Sequence, residues 1–250
     1  NIGAADVVAV ARRVSSALRL TAVPDKNLLR RRLLVQRAGQ TVRTSEALLV
    51  NNSAFRREVM LGGDSPRLRA ATLALASFVG PLVYNELRTQ QQLGYIVFGG
   101  AGSEGRSQFA YFIIQSGDYP ADELETRADK VIGELPVRLQ ALDDAQWQTI
   151  IAGVRDKLEE KDKSIGERAR RLFELAYEFD ADWVRKETTV DALSGLTQQT
   201  TAALLTSALS KDTARNRVFL GFARGVQPRT PSAVSFSDPG AWKAGQRYER

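Results

Sequence analysis

The chain contains no cysteine and no histidine in 250 residues. Without a thiol there is no disulfide, no thiolate nucleophile and no cysteine zinc site. Without an imidazole, the commonest general base near neutral pH and the commonest zinc ligand are both missing. Serine–histidine and cysteine–histidine machinery is therefore excluded within this chain, as is the two-histidine helix of zinc hydrolases. The lack of cysteine suits a periplasmic and a cytoplasmic chain alike. No run approaches ~20 unbroken apolar residues, so no transmembrane helix and no membrane partner are expected. The first residue is Asn1 rather than Met, and no charged-then-apolar leader follows it. The chain reads as a fragment of something longer, with any targeting signal outside it.

What is present is the composition of an ordinary globular protein, long enough to bury a sizeable core. The net charge of +6 comes from 35 Lys and Arg against 29 Asp and Glu. The two signs are interspersed through the helical stretches, which fits a solvated mixed surface better than a nucleic-acid footprint. Phe109, Tyr111, Phe112 and Phe219 lie in apolar strand-like runs and read as core rather than as stacking platforms for bases.

Periodicity divides the chain into recognisable elements. Ile2 to Leu20 is helical, with Val7, Val10, Ala11, Val14 and Leu18 at spacings of three and four. Strands are predicted over Leu28 to Val35, Ala47 to Val50 and Phe55 to Leu61, with a turn at 36–40. Ser65-Pro66 is a helix start, Ser as N-cap and Pro at the first helical position. Gly80-Pro81 is expected to break or kink that helix before a second piece, Leu82 to Gln92. Tyr95 to Phe98 and Gln108 to Gln115 read as an antiparallel hairpin. Then come helices: one from Pro120, divided or kinked at Pro136; one capped by Asp143 or Asp144; one over Ile165 to Phe179 with Ala169, Leu172, Phe173 and Ala176 inward; and two short ones over Leu193 to Leu209, with Thr197 as a cap. Arg217 to Ala223 is a last strand, and the Gly-, Pro- and Ser-containing residues from Gly225 read as an extended tail. The order predicts an α+β fold: an antiparallel or mixed sheet with helices packed on one face.

Three constellations carry little chemistry. Gly102 to Gly105 lacks the Gly-Lys-Ser ending of a phosphate loop. Glu159, Glu160 and Asp162 sit on a solvated helix end, and Asp143-Asp144 is a helix cap. The stretch "YNELRTQQQLGYIVFGG" from Tyr84 is different. A helix ending near Leu93, with Gly94 in a left-handed turn, brings Arg88 and Tyr95 back beside each other. Arg88 offers a fixed fork of N–H donors and Tyr95 a phenolic O–H. Two such donors suit a peptide carbonyl whose oxygen becomes negative during attack. The alternative is structural: Arg88 on the helix's last carbonyls and Tyr95 as a strand aromatic.

The run Leu87-Arg88-Thr89-Gln90-Gln91-Gln92-Leu93-Gly94-Tyr95-Ile96-Val97, continued by "FIIQSGDYPADELETR" from Phe112 to Arg127, resembles the C-terminal half of the pitrilysin/insulysin (M16) family of zinc metallopeptidases. The resemblance implies an M16/LuxS-like metallohydrolase domain in its non-zinc copy. It implies residues 1–22 as the closing helix of a preceding domain and 27–224 as the α+β domain, and it does not reach the tail, 225–250. It further implies a parent of four similar domains in two halves, closing around a chamber. The N-terminal half would hold zinc through an inverted His-x-x-Glu-His helix and a distant Glu; this chain would hold no metal and no other cofactor. The family's arginine–tyrosine pair carries over onto Arg88 and Tyr95, as auxiliary groups that reach substrate near zinc. Tyr95 would donate to the developing oxyanion or an adjacent carbonyl, and Arg88 would hold the peptide backbone. Asn85 and Gln92 have no assigned role. The implied partners are the N-terminal catalytic half and a peptide substrate, with no nucleic acid. The fragment alone is expected to be inactive, and an exported, periplasmic setting is favoured. The competing reading is a catalytically inactive scaffold or processing subunit of the same fold.

Overall fold

The computed structural model describes residues 3–21, 23–24, 33–34, 36–227 and 239–249. The chain divides into two units, Asn1–Arg32 (with Arg250) and Leu33–Glu249. In the first, helix α1 (Ala4–Ala17) follows Gly3, and none of its residues is buried. Most of the strand expected over Leu28 to Val35 lies outside the described residues; Leu33–Leu34 (β1) is described and pairs antiparallel with Tyr248–Glu249 (β7).

The second unit is built on a five-stranded sheet in the order β2-β6-β3-β5-β4: β2 (Gln40–Ala47), β3 (Ser53–Gly63), β4 (Ile96–Glu104), β5 (Ser107–Ser116) and β6 (Arg215–Phe222). β2 runs parallel to β6 and the other neighbours are antiparallel, so the sheet is mixed. Along β5 every second residue is buried, from Gln108 through Ala110, Phe112 and Ile114 to Ser116. This period of two marks one covered face and one open face. The covered face contributes Phe55, Val59, Val97, Phe112, Ile114, Val218 and Leu220 to the core. Phe109, Tyr111 and Phe219 are only half-buried, on the other face, so three of the four aromatics expected in the core stand outside it.

Helix α2 (Pro66–Val83) begins as its sequence predicts, with Ser65 Oγ accepting from the Leu68 N–H at 3.2 Å. The expected break at Gly80-Pro81 does not occur. The helix passes through Pro81 and ends in a π-type segment, Tyr84–Gln90. Its buried stripe, Ala70, Ala74, Leu75, Val79, Val83 and Leu87, holds it on the sheet through the proline. By length and composition alone Pro66–Gln90 could cross a membrane; in the fold it is a core helix. Helix α3 (Ala121–Gln140) likewise continues through Pro136, which is itself buried. Ion pairs join α3 to the sheet: Arg43 makes a two-pronged contact with Glu125 (2.8 and 2.6 Å), and Arg57 meets Asp129 at 2.6 Å.

Helix α4 (Asp144–Glu159) has a capping box between Asp143 and Gln146, and buries Trp147, Ile151 and Val154. Helix α5 (Ile165–Tyr177) departs from expectation: only Leu175 is buried, and Ala169, Leu172, Phe173 and Ala176 are exposed. Its spacing identified an apolar stripe correctly, but that stripe faces away from this core. Helices α6 (Arg185–Ser194) and α7 (Gln198–Leu209) follow, the second capped by Thr197. Two other expectations fail. Of the strand expected over Ala47 to Val50 only Ala47 is in a strand, as the last residue of β2; the chain bends at Leu49 and Val50, where Leu49 is 84% exposed. The tail is not extended throughout, for it contains α8 (Pro239–Ala244) and β7. Trp242 and Tyr248 line a cleft of about 370 Å³ with Thr44, Arg56 and Phe219.

Candidate functional site

The stretch from Tyr84 to Gly94 is held from three directions. Leu87 and Leu93 are fully buried and anchor it in the core. Glu86 reaches Arg138 of α3 at 3.2 Å. Its backbone closes through Gln91 N–H to Glu86 O (3.0 Å) and Leu93 N–H to Leu87 O (2.9 Å). The first of these spans five residues, which is the π-type bond. Such single-turn irregularities in helices occur often at functional sites.

The reversal after this helix is made differently from the sequence expectation. The left-handed residue is Gln92, with φ of 52°, and not Gly94. Gly94 is needed for another reason. A Cβ there would lie 2.1 Å from the Gln115 carbonyl oxygen and 3.2 Å from Ser116 Cα. The connector crosses the end of β5 backbone against backbone, and only glycine leaves room. A second close approach sits beside it: a Cβ on Gly99 would meet Val83 at 2.7 Å, so β4 presses directly on α2.

This path brings Arg88 and Tyr95 together. The Arg88 Cζ lies 4.9 Å from the Tyr95 ring centroid. Its Nη1 donates to the Gly94 carbonyl at 3.2 Å and also to the Tyr95 carbonyl. The guanidinium therefore ties down the connector itself, not the last carbonyls of its own helix. Nη1 accounts for these two bonds, leaving the Nε and Nη2 N–H groups without a partner among the described residues. Tyr95 is 86% exposed, just before β4 begins. Its phenol is thus on the surface and outside the packed hydrocarbon. A second tyrosine joins them: Tyr84, four residues before Arg88, has its ring centroid 5.4 Å from the Arg88 Cζ.

Another charged cluster was not foreseen. Asp64, after β3, accepts from Arg69 at 2.8 Å, from Arg185 at 2.5 and 2.9 Å, and from Gln108 at 3.1 Å. Arg69 also donates to Thr189 and Thr188. Burial pushes the Asp64 carboxyl upward, but the hydrogen bonds and charges of Arg185 and Arg69 outweigh it and hold the group below its ordinary range. Arg185, Thr188 and Thr189 lie 119 to 121 residues from their partners Asp64 and Arg69, so no local pattern announces the cluster. Arg69 and Arg185 lie on the wall of a cavity of about 640 Å³ that also touches Glu174 and Leu175 of α5.

As for a metal, the chain offers no imidazole and no thiolate, and no three Asp or Glu side chains converge among the described residues. The donor set does not fit zinc, and no step is assigned to a metal on this chain.

Comparison with known proteins bears on the whole arrangement. The profile of the "PQQ synthase PqqF-like, C-terminal lobe domain 4" family matches residues 74–173, which include the π-type segment and the β4–β5 hairpin. Protease 3 of Salmonella typhi is 31% identical over 114 residues, 46% of this chain and 12% of that protein. A nardilysin-like protein of Arabidopsis thaliana is 32% identical over 102 residues, 41% of this chain and 10% of that one. The crystal structure of pitrilysin superimposes with a TM-score of 0.82 at 23% identity, covering 100% of this chain and 27% of the other. The chain has the fold of an M16 C-terminal domain. The resemblance carried by the Arg88–Tyr95 motif is borne out, as is the α+β mixed sheet. The M16 likeness extends to an inactive M16 peptidase domain from Pseudomonas fluorescens (TM-score 0.61, 15% identity, 92% of this chain and 53% of the other). It extends also to the periplasmic protease PqqL of Escherichia coli (TM-score 0.58, 13% identity, 75% and 21%). The chain spans about an eighth of the length of the Protease 3 relatives it matches.

Proposed function

We propose that this M16 domain is the non-metal part of a peptide-hydrolysing enzyme, and that Arg88 and Tyr95 are its contacts with the peptide backbone. The observation that carries the reading is the pairing itself: an exposed phenol ring centred 4.9 Å from the Cζ of a guanidinium whose Nε and Nη2 hydrogens are unengaged among the described residues. A scaffold domain has no need of an exposed phenol beside a guanidinium that keeps N–H groups open. Arg88 fixes the connector with one nitrogen and presents the others to a peptide carbonyl. Tyr95 donates its phenolic hydrogen to a carbonyl oxygen as negative charge develops there. Removing one such donor typically costs on the order of 10²- to 10³-fold in rate.

The metal and its water would come from a separate N-terminal half, the partner implied by the M16 likeness, with substrate enclosed between the halves. An extracytoplasmic setting fits the likeness to the periplasmic protease PqqL. Residues 1–22 would then close a preceding domain. The test is reconstitution. Residues 1–250 alone should cleave no internally quenched peptide, and adding the N-terminal half should give cleavage that chelators abolish. Chelator-sensitive cleavage by the isolated chain would contradict the division of labour. A parent whose N-terminal half lacks a metal site would favour the scaffold reading instead.

A further inference from the structure

Arg88 is bonded along one edge only. Nη1 holds the two connector carbonyls, and no hydrogen bond fixes the rest of the guanidinium plane among the described residues. The two bonds from Nη1 hold one edge of the plane and leave the tilt of the other edge to whatever packs on its faces, and a donor that must meet a carbonyl at a set angle loses rate when it tilts. Two rings restrain it. The Tyr95 centroid is 4.9 Å and the Tyr84 centroid 5.4 Å from Arg88 Cζ, both inside the ~6 Å limit for attraction between a guanidinium and an aromatic face. Tyr95 sits on the exposed connector. Tyr84 stands on the first residue of the π-type segment, in the run anchored by buried Leu87 and by the Glu86–Arg138 pair. Of the two rings, Tyr84 has the firmer base. It is also 47% exposed, far more than the core needs.

We propose that Tyr84 is a third member of the site: a positioning residue whose ring orients the Arg88 guanidinium so that its free N–H groups meet the peptide backbone. This rests on the reading of Arg88 given above. The aromatic face does the positioning and the phenolic hydroxyl is not required.

The test uses the complete parent enzyme and an internally quenched nonapeptide. Tyr84→Leu keeps the apolar bulk and removes the aromatic face; it should lower kcat/KM by about 3- to 30-fold. Tyr84→Phe keeps the face and should stay within about twofold of the parent, since only the hydroxyl is lost. Tyr84→Leu added to Arg88→Ala should cost nothing beyond Arg88→Ala alone, because the ring acts through the guanidinium. A merely structural role would give additive losses and a matching fall in the urea midpoint. If Arg88→Ala lowers activity while Tyr84→Leu does not, or if the two losses add, the inference about Tyr84 fails and the role of Arg88 stands. If Arg88→Ala has no effect, the proposed function itself fails.

Discussion

Gly94→Ala is the sharpest test of how the sequence builds this site. The added Cβ would lie 2.1 Å from the Gln115 carbonyl oxygen and 3.0 Å from its carbon. Both are backbone atoms of β5, paired with β3 on one side and β4 on the other, so neither can swing away as a side-chain end would. The connector must lift by roughly 1 Å to restore ordinary contact, and overpacking of this kind costs about 1–3 kcal/mol. For a chain of this size that corresponds to a fall in Tm of about 2–12 °C. Because the Gly94 and Tyr95 carbonyls are the anchors of Arg88, the lifted connector should also cost activity in the parent enzyme. The control is Gly102→Ala on β4, where a Cβ meets nothing within 4 Å and the backbone is not left-handed. That change should be neutral or stabilising by up to about 1 kcal/mol, through the reduced freedom of the unfolded chain. Urea denaturation of both variants measures the difference. Equal midpoints for Gly94→Ala and Gly102→Ala would refute the close-approach argument.

Two further predictions concern Asp64. Asp64→Asn leaves Arg69 and Arg185 with only Asp182 as a countercharge, 3.9 Å from Arg185, and should cost about 1.5–3 kcal/mol near pH 7, the range for hydrogen bonds to a charged group; a loss under about 0.5 kcal/mol would show that the cluster is merely a solvated one. The folded-state pKa of Asp64 lies below its unfolded value, so its contribution is complete above pH ~4 and fades as the pH falls through the lower, folded value. The urea midpoint of the parent chain should therefore drop more steeply than that of Asp64→Asn on acidification below pH 4, and parallel curves would contradict the assignment.

The elements most legible in the sequence were those with local causes. Ser65-Pro66, Asp143 with Gln146, and Thr197 with Thr200 each mark a helix start through side chains that reach only three residues along the chain. The Arg88–Tyr95 pairing was legible as well, since one chain reversal produces it. Its details were not. Close approach of β5 fixes Gly94, and β5 contacts are invisible to a reading of seven consecutive residues. Pro81 and Pro136 were read as breaks or kinks because each removes a helix hydrogen bond; neither helix breaks. Burial of the surrounding stripes outweighs that loss, and burial is a tertiary quantity. The stripe on α5 shows the converse: spacing reveals which residues are apolar, not what they face. Tyr84 had a readable signal, one helical turn before Arg88, although an i,i+4 spacing says nothing of which pairs matter.

The account turns on whether Tyr95 gives a hydrogen bond to substrate as the peptide bond is broken. Tyr95→Phe in the parent enzyme removes only the phenolic O–H from an exposed residue, so the fold should be untouched. The measurement is the separate determination of kcat and KM on one peptide. A fall in kcat of about 10²- to 10³-fold with a smaller change in KM is the expected result. An unchanged kcat would contradict the central claim.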